Sequence, residues 1–167
     1  MLLYLDKSIC LPIFFLSGFT FIILDIGRIK YESINKIYSI FFASITKKTE
    51  NQNLTGASFT FIGLIIVTIF FPAKIAAISV IIMSISDGLA SLVGFRFGYI
   101  KILDKSLEGS LVFFISACII LILFGYTSIS VIVIALCCTI IELIASKTKV
   151  DDNLLIQISV AVILSII

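Results

Sequence analysis

Residues 75–95, IAAISVIIMSISDGLASLVGF, carry a single charge, Asp87. As a helix rising ~1.5 Å per residue the segment reaches about 31 Å, enough to cross the hydrocarbon core of a bilayer. A carboxylate in such a setting is expensive and by default functional, although pairing with a cation or hydroxyls to hold a bundle together is the structural alternative. The same reading extends to the whole chain. Of its 167 residues 60% are hydrophobic and 13% charged, with a mean hydropathy of +1.27, whereas a soluble domain is roughly 25% charged. Unbroken apolar runs such as residues 64–71 and 119–124 lack the alternation of a membrane β-barrel. The expected fold is therefore an all-α integral membrane protein.

Apolar segments at 10–27, 56–71, 75–95, 109–125, 129–146 and 154–167 predict about six transmembrane helices. A shorter run at 34–45, with Lys36 inside it, predicts one interfacial or re-entrant helix. No repeat or low-complexity linker divides the chain, so residues 1–167 read as a single polytopic domain. The first apolar run has neither a basic leader nor a small-residue cleavage site, and is expected to be retained. Cys10, Cys118, Cys137 and Cys138 sit in apolar segments without ligand spacing, and histidine is absent; they read as packing residues. A net charge of +2 gives no reason to expect a nucleic acid partner, and nothing in the pattern sets an oligomeric state.

Six spans put the loops at 28–55, 96–108 and 147–153 on one side. Those loops hold Arg28, Lys30, Lys36, Lys47, Lys48, Arg96, Lys101, Lys105, Lys147 and Lys149, ten of the twelve basic residues. The excess of Lys and Arg assigns that side to the cytoplasm. Nine of the ten acids, all but Asp6, fall in the same loops or the helix ends beside them. Carboxylates follow no strong sidedness rule, so their clustering predicts a polar site at the cytoplasmic interface.

Within that interface, helical spacing aligns Ser84, Asp87, Ser91, Gly94 and Gly98 in one small polar stripe, with Ile82, Ile85, Leu89 and Leu92 in an apolar one. Gly94-x-x-x-Gly98 alone is a helix-packing motif; with Arg96 at the membrane exit, it is equally a place where backbone N–H groups approach a phosphate. Lys105, Ser106, Glu108 and Gly109 follow, a cation for phosphate oxygens and a carboxylate able to hold Mg²⁺ or orient the lysine. Glu142 near the end of its helix, with Asp151, Asp152 and Asn153, makes a hard-cation site of oxygen donors, although Asp151 and Asp152 also suit the cap of the last helix. Asp25 and Arg28 lie three apart on one helical face, an interfacial ion pair, as is Glu50 beside Lys47 and Lys48.

Taken together, Ser86-Asp-Gly-Leu-Ala-Ser91, Gly94-Phe-Arg-Phe-Gly98, Lys105-Ser-Leu-Glu-Gly-Ser110, Glu142-Leu-Ile-Ala-Ser146 and Asp151-Asp-Asn-Leu154 resemble the CTP-dependent membrane lipid kinases, among them dolichol kinase, phytol kinase and CTP-dependent diacylglycerol kinases. Asp25-Ile-Gly-Arg28, Glu50 and Leu54-Thr-Gly-Ala57 extend the resemblance over most of the chain. It implies transfer of the γ-phosphate of CTP to the hydroxyl of a membrane lipid alcohol with Mg²⁺; the expected setting is a bacterial cytoplasmic (inner) membrane, with the site on the cytoplasmic side that the Lys and Arg excess assigns. Asp87, Glu142, Asp151 and Asp152 would then be metal or base candidates, with Asn153 beside them. Arg96 and Lys105 would clamp phosphate, and Gly94, Gly98 and Gly109 would allow close approach. The chain departs from the family in lacking an N-terminal Arg-Lys-x-x-His element, and in Leu155 and Gln157, where relatives often place Thr and Pro; it is expected to be a minimal member. Phosphatidate cytidylyltransferase has a similar central pattern but ends in a His-Gly-Gly signature, which a chain without histidine cannot supply. A small ion-coupled transporter using Asp87, Glu142 and Asp25 is the alternative from another class.

Overall fold

Phe71-Pro72 and Gly125 set the tight turns at one end of a helical bundle. The computed structural model describes residues 1–42, 53–127 and 129–167. The described residues form α1 (Lys7–Lys30), α2 (Glu32–Phe42), α3 (Gly56–Phe70), α4 (Ala73–Phe97), α5 (Leu107–Leu123), α6 (Ile129–Ala145) and α7 (Asp152–Ile166). A small antiparallel hairpin, β1 (Lys101–Ile102) and β2 (Lys105–Ser106), joins α4 to α5. Pro72 ends α3 because the residue before a proline is driven out of the helical region. Gly125, at φ +86°, closes α5 with its own N–H on Ile122 O (2.9 Å) and Tyr126 N–H on Leu121 O (3.0 Å), a Schellman turn that favours glycine.

The described residues are all-helical apart from the hairpin, but helix length does not establish the expected six or so transmembrane helices. Among the described residues, α1 and α4, at 24 and 25 residues, are the two helices long and apolar enough to cross a membrane. The other apolar helices have 15 residues (α3, α7) or 17 (α5, α6). Fifteen residues reach about 22 Å, short of a core of ~30 Å. The short amphipathic run begins two residues earlier than expected, as α2; its predicted end at 43–45 lies outside the described residues, as does Glu50 with Lys47 and Lys48.

Helix direction alternates through the bundle. Lys7, opening α1, donates to the carbonyl of Phe71 at the end of α3, while Arg28, near the end of α1, donates to Asn53 O just before α3 (2.6 Å). Lys74, opening α4, lies 5.6 Å over the ring of Tyr126 in the α5–α6 turn. The hairpin and the α6–α7 connection therefore share the opposite end with Asp25, as the charge pattern predicts.

Two apolar clusters hold the bundle. One joins α4, α5, α6 and α7 through Ile78, Ile82, Phe113, Ile134 and Ile156; the other joins α1, α3, α4 and α7 through Cys10, Phe14, Val67, Ala76 and Ala161. α4 and α7 belong to both and tie the two clusters together. Gln157 on α7 is fully buried against α3; the amide orientation that satisfies both of its ends has the nitrogen donating to Thr60 O (3.3 Å) and the oxygen accepting from Leu64 N (3.1 Å), and a Cβ on Gly63 would collide with the side chain. Outward, Phe15, Leu16, Phe19, Phe70 and Leu123 are exposed, an apolar surface of the kind that lipid covers.

One feature of α4 departs from the regular helix that the polar stripe assumes. Ile82–Asp87 is a π-helical turn, whose extra residue rotates everything beyond it by about 100°. Ile82 on the expected apolar stripe is consequently buried while Ile85, Leu89 and Leu92 face out, and Ser84 on the polar stripe is exposed while Ser86 is buried. The Ser86 hydroxyl is enclosed with no hydrogen-bond partner among the described residues. The turn ends at Asp87, and single π turns of this kind recur at functional sites.

Candidate active site

Small residues bring α4 and α5 together where the site forms. A Cβ added to Gly109 would stand 2.8 Å from Ala90 O and 3.4 Å from Gly94 Cα, so the two backbones nearly touch. Ser106 locks the crossing: its hydroxyl caps α5 by accepting from Gly109 N (3.1 Å), and the same oxygen would lie 2.8 Å from a Cβ on Gly94 or Gly98. Since Ala90 O belongs to backbone and cannot swing aside, Gly109→Ala is expected to cost about 1–3 kcal/mol through overpacking. Thermal unfolding of the detergent-solubilised chain would register this as a lowered midpoint, and an unchanged midpoint would refute the close approach.

Beside this crossing is a cavity of about 320 Å³ lined by residues of α4, the hairpin, α5, α6 and α7. Lys105 lines it and gathers its ion pairs. The ammonium lies 2.6 Å from Glu142 Oε1, 3.4 Å from Asp87 Oδ1 and 3.9 Å from Asp152 Oδ2, carboxylates carried by α6, α4 and α7. Ser110 on α5 donates to the other oxygen of Glu142 at 3.1 Å, and both residues are buried. Burial works against the lysine's charge, but the carboxylates of Asp87, Glu142 and Asp152 outweigh it and hold the pKa above the ordinary lysine value. The cation is therefore present throughout the neutral range.

The other sequence candidates divide between the cavity and its frame. Gly94, Ser106 and Gly109 line the cavity, although their contacts serve the α4–α5 crossing. Arg96 and Gly98 lie outside the lining; Arg96 is exposed, and Gly98 packs on Ser106. Glu108 is also outside it, turned back to accept from the N–H groups of Tyr99 and Ile100 (3.2 Å each), where it fixes the hairpin. Asp151 caps α7 by accepting from Asn153 N (3.0 Å), the capping alternative, and neither residue lines the cavity. Asp25 and Arg28 form a separate node: Asp25 bonds Arg28 (2.8 Å) and accepts from Thr55 N, Thr55 Oγ1 and Ser58 Oγ at 2.6–2.9 Å. It does not join Asp87 and Glu142 in one path.

Ser91, Ser110 and Ser146, which the sequence places in the polar stripe or the motifs without a role of their own, and Lys101 and Asp104, which it offers only as loop charges, all line the cavity. Ser146 was findable, four residues after Glu142 on the same helical face. Lys101 and Asp104 depend on the hairpin, with Leu103 at φ +57° in its turn, and Asp104 is further tied to Lys147 at 2.8 Å.

Among the described residues no three carboxylates stand close enough, as placed, to share a metal ion; Lys105 stands between them. Donor type and charge nevertheless fit a hard divalent cation, because three carboxylates face one ammonium and Mg²⁺ is commonly held by one or two carboxylates together with substrate phosphates.

The chain is 35% identical over 161 residues to the uncharacterized protein RP860 of Rickettsia prowazekii, a match covering 91% of this chain and 78% of that protein. Distant homologues with names include CTP-dependent diacylglycerol kinase 1 of Schizosaccharomyces pombe, 34% identical over 52% of this chain and 41% of the kinase. Another is a protein named probable phytol kinase, chloroplastic, of Triticum aestivum, 30% identical over 70% of this chain and 45% of the kinase. The chain thus spans less than half of either named kinase. No protein-family profile and no solved structure matches it.

Proposed function

For a chain that belongs to the same family as RP860 of Rickettsia prowazekii, we propose the activity of a membrane lipid kinase that moves the γ-phosphate of CTP to the hydroxyl of a lipid alcohol. The supporting observation is the Lys105 cluster, where one half-buried cation and three carboxylates from three helices meet at a cavity. The names of the distant homologues support the same reaction class. Phosphoryl transfer asks little covalent chemistry of a protein and much positioning and charge neutralisation. In this proposal the chain is an integral membrane protein with the cavity at the cytoplasmic face, and the four shorter apolar helices complete the membrane body with α1 and α4.

Each cavity residue has a part in that reaction. Lys105 and Lys101 neutralise phosphate oxygens of the nucleotide. Glu142, oriented by Ser110, and Asp152 would hold Mg²⁺, which when bound supplies charge neutralisation at the phosphates. Asp87 accepts the proton of the lipid hydroxyl, because it lies farther from Lys105 than Glu142 does, at 3.4 Å against 2.6 Å, and retains some exposure. The acceptor is a polyprenol-, phytol- or diacylglycerol-like alcohol.

Membranes bearing the chain, incubated with a panel of lipid alcohols, test this directly. Label in the γ-phosphate of CTP is expected to move to lipid, and ATP is expected to serve poorly. Transfer of a cytidine label to phosphatidate instead would replace the kinase with a cytidylyltransferase.

A further inference from the structure

Lys105 stands where the proposed metal ion would. Its three donors let an ammonium hold a carboxylate and a phosphate together, but Glu142 and Asp152 cannot close around an ion while Lys105 lies between them, 2.6 Å from one and 3.9 Å from the other. Resting on that reading, we infer that Lys105 is an exchangeable internal countercation: it occupies the Glu142–Asp152 position in the empty chain, yields it to a divalent cation, and is thereby delivered to the nucleotide side of the cavity.

The charge balance supports the exchange. Three carboxylates face a single ammonium, an excess of negative charge in a largely buried place, and buried charge without compensation is costly. Lysine relieves part of that excess when no ion is present, at distances of 2.6–3.9 Å. A divalent cation would relieve more and draw its oxygens to about 2.1 Å, which a lysine held between them prevents. Geometry allows the departure. Lys105 lies on β2 of the hairpin rather than on a packed helix, its side chain is 18% exposed against 3% for Glu142, and a lysine stem is a flexible chain of four carbons. Glu142, by contrast, is anchored through Ser110 and remains in place for whichever cation arrives.

The inference has an outcome opposite to that of a simple clamp. With the full-length chain in detergent micelles and no nucleotide, Mn²⁺ binding can be followed by loss of the free-ion electron paramagnetic resonance signal. Lys105→Met is expected to bind Mn²⁺ roughly tenfold or more tightly than the unaltered chain, since a competing positive charge within 4 Å has been removed. Lys105→Met combined with Glu142→Gln is expected to lose that gain. A second measurement needs no variant: Mn²⁺ alone should increase the reaction of Lys105 with an amine-directed reagent, read by mass spectrometry. Equal or weaker binding by Lys105→Met, or Lys105 labelling indifferent to Mn²⁺, would overturn the exchange. Because no arm contains CTP, a chain that behaves as expected here and still transfers no γ-phosphate would retain the exchange and lose the kinase reading.

Discussion

Asp87→Asn is expected to lower CTP-dependent lipid phosphorylation by roughly a thousandfold, within the range for loss of a positioned general base, while the chain stays folded and membrane-inserted. The substitution preserves shape at the end of the π turn and removes the one function an amide cannot supply, acceptance of a proton. It also leaves Lys105 held, since the shorter contact is to Glu142 at 2.6 Å rather than to Asp87 at 3.4 Å. The fall should therefore appear in kcat with little change in KM for CTP, the pattern of an interaction made in the transition state. Initial rates against CTP concentration, with the unfolding midpoint measured beside them, separate this from misfolding. Full activity in the variant would remove Asp87 from the chemistry.

The largest loss of stability is expected at a site with no place in the cavity. Asp25 is 1% exposed and Arg28 3%, and the carboxylate accepts from the Arg28 guanidinium, the Thr55 amide, the Thr55 hydroxyl and the Ser58 hydroxyl. Thr55 and Ser58 begin α3, so an acid on α1 satisfies donors that the start of another helix leaves unpaired. Arg28 in turn donates to Asn53 O and lies 5.1 Å over the ring of Tyr38 on α2. Asp25→Ala would strand a buried guanidinium and several buried donors at once, and losing one partner of a buried ion pair costs about 3–5 kcal/mol. The detergent-solubilised variant should unfold at a much lower temperature or accumulate poorly. A midpoint close to that of the unaltered chain would show that the node carries little of the fold.

These two carboxylates look alike in the sequence and differ in what surrounds them. Each is an acid in an apolar run, and spacing offers Asp25 an arginine three residues on while offering Asp87 hydroxyls at Ser84 and Ser91 but no cation within two helical turns. That difference already separates a local pair from a long-range one. It does not reveal that Thr55 and Ser58 saturate Asp25, because they arrive from thirty or more residues away. Nor does it reveal that Asp87 meets Lys105, or that Lys105 meets Glu142 and Asp152. Motif resemblance brought those residues into one group without ordering them in space. Glu108 and Asp151 belonged to the same motifs, yet they fix the hairpin and cap α7.

Helical class, the apolar segments and the gathering of charge at one end of the bundle are all legible along the chain. Each follows from local composition, since apolar length and the sidedness of Lys and Arg are properties of short stretches. Tertiary structure alone decided which faces those helices present. The π turn rotates α4 midway, so the stripes drawn for a regular helix break at Ile82. Packing also forms the cavity, because Asp87, Glu142 and Asp152 lie on three separate helices that meet in the core, and that meeting brings the three carboxylates within 4 Å of the Lys105 ammonium. Periodicity is written along the chain, whereas the electrostatics of a site depend on distances between segments that the chain holds apart.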